Sequence, residues 1–136
     1  MCAALLNTRN QLIHWLSLLE RAALIRKLHA DNKGLMALGK PDKILFNNIN
    51  LMNAPASTAD AGTARESFFS AMMSYSHTIQ YAKQGDLQVD SKYLFEVGGK
   101  KGFSQIANLP NSYVVADNIE IGFGNEIPLW LFGLVC

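Results

Sequence analysis

Apolar residues recur at three- and four-residue intervals near the start of the chain, at Leu12, Trp15, Leu16, Leu19, Ala22 and Ala23. That spacing lines one face of an α-helix. It predicts a helix over residues 8–22, opened by a capping box in which Thr8 and Gln11 each satisfy a free amide. Asn10, His14, Ser17 and Arg21 form a polar stripe on the opposite face, with Arg9 beside it. Such side chains reach phosphates or base edges when a helix lies against nucleic acid. Residues 24–28 and 43–46 then read as two strands around a turn at residues 31–34. A helix followed by a hairpin predicts a partial winged-helix segment over residues 1–54. The two helices that precede the recognition helix in a complete winged helix are missing, so the apolar face of residues 8–22 lacks its natural cover.

Residues 55–62 are small, polar and rich in breakers, and predict a linker. Beyond it the pattern changes. Residues 63–76 carry Phe68, Phe69, Met72, Met73 and Tyr75 among helix formers and predict a helix. Strands follow at 78–82, 86–89 and 93–97, with turns at Gly85 and at Asp90-Ser91-Lys92. Gly98-Gly99 ends the third strand, 103–109 reads as a short helix, and 112–116 as a further strand. A strand at 119–123 and a short apolar helix opened by Pro128 complete the chain. The expected class is α+β: the partial winged helix, then a domain over 63–136 built as a mixed sheet in the order α-β-β-β-α-β.

Composition places the chain of 136 residues among globular proteins, with 49% hydrophobic and 17% charged residues. The net charge of +1 hides an asymmetry. Residues 1–54 hold seven Lys and Arg against three acids, a balance of +4, and residues 55–136 hold five against eight, a balance of −3. A basic first half is compatible with contact to DNA. Cys2 and Cys136 stand at the two ends, which excludes an internal disulfide framework and favours a reducing cytoplasm. The opening residues are too short for a signal sequence, and Pro128 interrupts the late apolar run, so neither spans a bilayer.

Candidate chemistry rests on acids. Glu66 falls on the helix of the second domain, Asp86 opens its second strand, and Glu96 lies near the end of the third, with Lys100 four residues on. This arrangement resembles the restriction-endonuclease-like, or PD-(D/E)xK, fold. There, hard carboxylate oxygens such as those of Asp86 and Glu96 hold Mg²⁺, which activates water and neutralises the scissile phosphate. A lysine then stabilises the developing charge. The nuclease signature wants Glu-x-Lys, whereas this chain reads Glu96-Val97-Gly98, with Lys100 out of register. Each acid also has an ordinary reading: Glu66 pairs with Arg65, Asp86 serves the turn after Gly85, and Glu96 faces solvent. His14, His29 and His77 share no spacing that predicts zinc, and no phosphate-cradling Gly-x-x-x-x-Gly-Lys loop is present.

Several stretches together resemble a known family: TRNQLIHWLSLLERAALI (8–25), KPDKILFNN and INLMNA (40–54), TARESFF (63–69), YAKQGDLQVDSKYLFEVGGKK (81–101) and IEIGFGNEIPLWLFG (119–133). They are similar to the domain of unknown function that follows the ATPase core in many bacterial and archaeal AAA-type ATP-binding proteins. Lys43-Ile44-Leu45-Phe46, Arg65-Glu66-Ser67-Phe68-Phe69, Asp86 and Glu96 occupy the matching positions, and Gly98 departs from a lysine often found there. The resemblance implies a fragment or truncated reading frame of an ATPase, with ATP bound only by the missing core. The expected function is a non-catalytic accessory module with a degenerate nuclease-like core, serving nucleic-acid binding or assembly. Two alternatives stand beside it. One is a metal-dependent DNA nuclease using Asp86, Glu96 and Lys100, with Glu66 as a further ligand and Mg²⁺ as cofactor. The other is a homo-oligomerising interaction domain that buries the first helix and the apolar tail in a second copy.

Overall fold

The computed structural model of the chain describes residues 3–30, 39–53, 60–98, 106 and 108–134, with side chains from Thr8 onward in the first helix. The elements are α1 (Ala3–Arg21), β1 (Ile25–Leu28), β2 (Lys43–Phe46), a 3₁₀ turn (Ile49–Asn53), α2 (Ala61–Met73), β3 (Ile79–Tyr81), β4 (Leu87–Val89), β5 (Tyr93–Gly98), β6 (Ser112–Ala116), β7 (Glu126–Pro128) and a 3₁₀ segment (Leu129–Leu134). The class is α+β, with an antiparallel hairpin β1–β2 and a mixed five-stranded sheet in the order β3-β4-β5-β6-β7. Among the described residues no helix is long and apolar enough to cross a membrane.

β3, β4 and β5 form an antiparallel meander, and β6 and β7 continue the sheet in parallel. The β4–β5 turn uses positive φ at Asp90 and Ser91, the conformation that matches the twist of a tight hairpin. Asp90 tolerates it because its carboxylate accepts the Thr78 amide at 2.9 Å and pairs with His77 Nδ1 at 2.7 Å. Alternation then sends Leu87, Val89, Phe95, Val97 and Val115 to one face, where Phe69 and Met73 of α2 cover them. Phe69 is the centre of this core, with its ring 4.9 Å from that of Phe95 and 4.8 Å from that of Phe132. Asp60 starts α2 by accepting the Thr63 amide at 2.8 Å, so the end of the expected linker is a helix cap. Residues 54–59 of that linker lie outside the described residues.

The hairpin belongs to the same core. Leu28 and Leu45, each 1% exposed, join the cluster around Phe69, so these hairpin residues share the core of the second half of the chain. Arg26 fastens the hairpin from the side, donating to the Ser70 carbonyl at 2.6 Å, the Ser70 hydroxyl at 3.1 Å and Asn47 Oδ1 at 2.6 Å.

Three expectations change. First, α1 starts upstream of Thr8, because the preceding Ala and Leu residues are good helix formers, and this removes Thr8 and Gln11 from the N-terminal capping position. The helix is also turned about its axis: Ile13, Leu16, Ser17 and Glu20 form the half-buried stripe, while Leu12, Trp15, Leu18 and Leu19 are exposed. α1 packs on β1 through that narrow stripe, and the apolar face with Leu12, Trp15, Leu18 and Leu19 is left uncovered. Second, residues 119–123 are not a strand; Ile121 and Phe123 stand 85% and 89% exposed. The pairing with β6 is made by β7 instead, with Val114 opposite Glu126. The loop folds back so tightly that a Cβ on Gly122 would collide with the Glu126 carbonyl. Third, the expected turn at 31–34 and most of the expected helix at 103–109 lie outside the described residues, although Ile106 is helical and buried.

Candidate acidic site

The site begins with a helix position that ought to be apolar. Glu66, Phe69, Ser70 and Met73 follow the i, i+3, i+4, i+7 spacing of one helix face, and the last three are buried. Glu66 is therefore held against the interior, where a carboxylate needs a partner. The partner comes from the hairpin. On β2, Lys43 and Leu45 share a face: Leu45 enters the core, and Lys43 Nζ lies 2.7 Å from Glu66 Oε2 and 3.6 Å from Asp86 Oδ1.

Asp86 reaches this point through a break in the sheet. Gly85 has a φ of 82°, and a Cβ there would press on the Phe95 carbonyl at 3.2 Å. The Asp86 amide donates to the Phe95 carbonyl at 3.0 Å, although Phe95 already faces Leu87 in the β4–β5 register. Two residues thus meet one, which is a β-bulge, and a bulge re-aims a side chain that strict alternation would send to the other face. The carboxylate of Asp86 then accepts the Val97 amide at 2.8 Å with one oxygen and faces Lys43 with the other.

Glu96 stands differently. Its neighbours Phe95 and Val97 point to the α2 face, so alternation sends Glu96 to the opposite one. It makes no hydrogen bond or ion pair with a described side chain. Burial raises its pKa above the ordinary range, helped by the negative charges of Asp86 and Glu66 and opposed by Lys43. Burial likewise pushes Glu66 up, against the hydrogen bond and charge of Lys43, with Asp86 adding to the rise. The acids therefore gather at one end of the sheet and feel one another, but only Glu66 and Asp86 share a cation. Lys100 lies outside the described residues.

Of the expected metal pair, Asp86 stands beside Lys43, and Glu96 is influenced by the charge of Asp86 without a described contact between them. Among the described residues no three His, Cys, Asp or Glu side chains are grouped to hold a metal ion. A lysine ammonium sits between the two acids that do meet, and both oxygens of Asp86 are engaged. The lysine of this site is Lys43, which sequence reasoning placed on a strand and gave no role. Its signal was present: a lysine two residues before a strand leucine shares that leucine's face.

No protein-family model, curated protein or solved structure matches this chain.

On α1, Arg9, Asn10, His14 and Arg21 are exposed. Ser17 is not available to a ligand in the same way, because its hydroxyl donates to the Ile13 carbonyl at 2.9 Å and accepts from Lys27 Nζ at 3.3 Å. Lys27 also pairs with Glu20 at 2.9 Å, closing the contact between α1 and β1. Ser17 therefore belongs to the packed stripe, which corrects its expected place on the free polar face.

The raised pKa of Glu96 has a definite consequence for stability. A carboxylate whose pKa rises on folding contributes stability only while protonated, and that contribution is lost as pH climbs through the folded value. Glu96→Gln, which removes the charge, is expected to resist urea better than the native chain at neutral pH. The difference should close as pH falls from the raised value into the ordinary carboxylate range, measured as unfolding midpoints across a pH series. A difference that persists unchanged into acid would show that charge is not its cause.

Proposed function

We propose that this chain is a non-catalytic accessory module that acts through assembly, with a nuclease-like core closed by its own lysine, in a protein of the AAA-type ATPase kind. The observation that carries the reading is α1. This helix of 19 residues rests on one strand of the hairpin and leaves Leu12, Trp15, Leu18 and Leu19 in solvent. Apolar surface of this extent at one helix face favours burial against a partner. Exposed Leu and Trp also favour a protein surface over DNA, which is bound by polar and cationic side chains.

The occupant proposed is a second copy. A cavity of about 380 Å³ lies between α2 and the C-terminal 3₁₀ segment, lined by Ile49, Phe68, Leu129 and Trp130, with the paired Arg65 and Asp117 among its walls. Trp130 is 53% exposed there. The walls of this groove are mostly apolar and its one acid, Asp117, is paired with Arg65, so the apolar face of α1 complements it by its Leu and Trp side chains. A helix of one copy in the groove of the next is a heterologous contact, which closes into rings or extends into filaments.

The second reading, a metal-dependent nuclease, is favoured by the meeting of Glu66 and Asp86 with Glu96 close by. With Lys43 as the resident cation, plasmid incubated with Mg²⁺ or Mn²⁺ should be nicked no faster by the native chain than by Glu96→Ala. Nicking by the native protein alone would establish the nuclease instead.

Assembly is tested by sedimentation of two variants, Trp15→Asp and Trp130→Asp. The native chain should associate as its concentration rises, and each variant alone should remain monomeric. An equimolar mixture should form a heterodimer, since one variant keeps a sound groove and the other a sound helix. A strictly monomeric native chain at high concentration, or a mixture that stays monomeric, would remove the proposal.

A further inference from the structure

The second half of the chain carries eight acids against five bases, yet one cavity between it and Ala30, just past the end of β1, has no acid in its walls. This cavity, of about 630 Å³, opens beside the β3–β4 turn. Its walls include Tyr81, Lys83, Gln84, Gln88, Lys92 and Leu94. Lys83 and Lys92 are exposed. Among the described residues, no side chain pairs with Lys83, and the ammonium of Lys92 stands 4.8 Å from the centre of the Tyr93 ring. Neither lysine is neutralised by a described carboxylate. Asp90, the nearest acid in sequence to Lys92, is held by His77 and the Thr78 amide.

Each kind of wall residue selects for one feature of a ligand. Two unneutralised ammonium groups at one mouth favour an anion, and phosphate is the anion for which lysine serves as a compact point charge. Gln84 and Gln88 each offer an amide donor and acceptor, the pairing that reads the edge of a nucleobase. Gln88 is fixed on β4 between Gln80 of β3 and Leu94 of β5, so its place in the sheet is set by two ladders. Tyr81 and Leu94 supply half-buried apolar surface, on which the flat face of a base can rest.

We propose that this cavity binds a phosphate-bearing nucleoside unit, with Lys83 and Lys92 on the phosphate and Gln84 and Gln88 on the base edge. The unit comes either from single-stranded nucleic acid or from a free nucleotide. The site is separate from α1 and from the groove beside Trp130, and it does not depend on assembly.

Fluorescence anisotropy of a short labelled oligothymidylate, added to the full chain at low salt, tests the proposal. Binding is expected, and Lys83→Ala with Lys92→Ala should weaken it about tenfold or more. The same double variant should flatten the log–log salt dependence by about 1.4, roughly 0.7 for each lost phosphate contact on a single strand. Gln88→Leu should weaken binding while leaving the salt slope unchanged, which a purely electrostatic surface would not show. Both lysines are exposed, and circular dichroism of the variants checks that the fold is kept. Competition by thymidine monophosphate assigns the site to free nucleotides, and competition by unlabelled oligomer alone assigns it to the polymer. Three results would overturn the proposal: no binding of either ligand, equal competition by polyglutamate, or binding lost in Arg9→Ala with Arg21→Ala but kept in the lysine double variant. Sedimentation of the same samples reads assembly independently, so failure of one reading is distinguishable from failure of the other.

Discussion

A carboxylate at a core-facing helix position forces the arrangement of this molecule. Glu66 shares its face of α2 with Phe69, Ser70 and Met73, and is answered by Lys43 from the hairpin at 2.7 Å. Their side chains keep 14% and 23% exposure, so solvent screens the pair less than it would on an open surface. Removing one partner would leave the other charge half-buried and unpaired, which is more damaging than losing the attraction alone. The same lysine faces Asp86, so one ammonium ties β2 to both α2 and the bulge before β4. Arg26 repeats the fastening further along α2 through Ser70. Between these two cations, Leu28 and Leu45 are seated in the core.

That fastening shapes the chemistry. Two carboxylates brought together at a sheet end are the beginning of a metal site, but here an internal ammonium supplies the positive charge. Glu96, which a phosphodiesterase core would turn toward the same point, stands on the other face of β5 and meets its neighbours only through their fields. The hairpin is thereby committed to α2, and α1 packs on β1.

The central meander was legible from the chain. Alternation through residues 87–97 and 112–116 gives β4, β5 and β6 nearly as found, because one face of each is packed on α2 and the period of two is enforced. The strand expected at 119–123 failed for a local reason. Ile119, Ile121 and Phe123 alternate correctly, but the close approach of Gly122 to the Glu126 carbonyl and positive φ at Asn118 and Gly124 make a loop. On α1 the period was right and the phase was wrong, since the face that packs on β1 includes Ser17 and Glu20, whose lysine partner is distant in sequence. Of the site, Glu66 and Asp86 were legible and Lys43 was not. Its role exists only once the hairpin docks on α2, and the bulge that swings Asp86 toward it depends on Gly85, whose conformation a simple turn explains equally well.

A double-mutant cycle distinguishes Lys43 and Glu66 as a working pair from Lys43 and Glu66 as chance neighbours. Urea unfolding of the native chain, Lys43→Met, Glu66→Gln and the double variant gives the coupling energy free of each residue's other contacts. A coupling of about 1 kcal/mol or more is expected at neutral pH, the double variant losing clearly less than the two single losses together. Losses that add within about 0.3 kcal/mol would contradict it, and the hairpin would then be held by its apolar contacts alone.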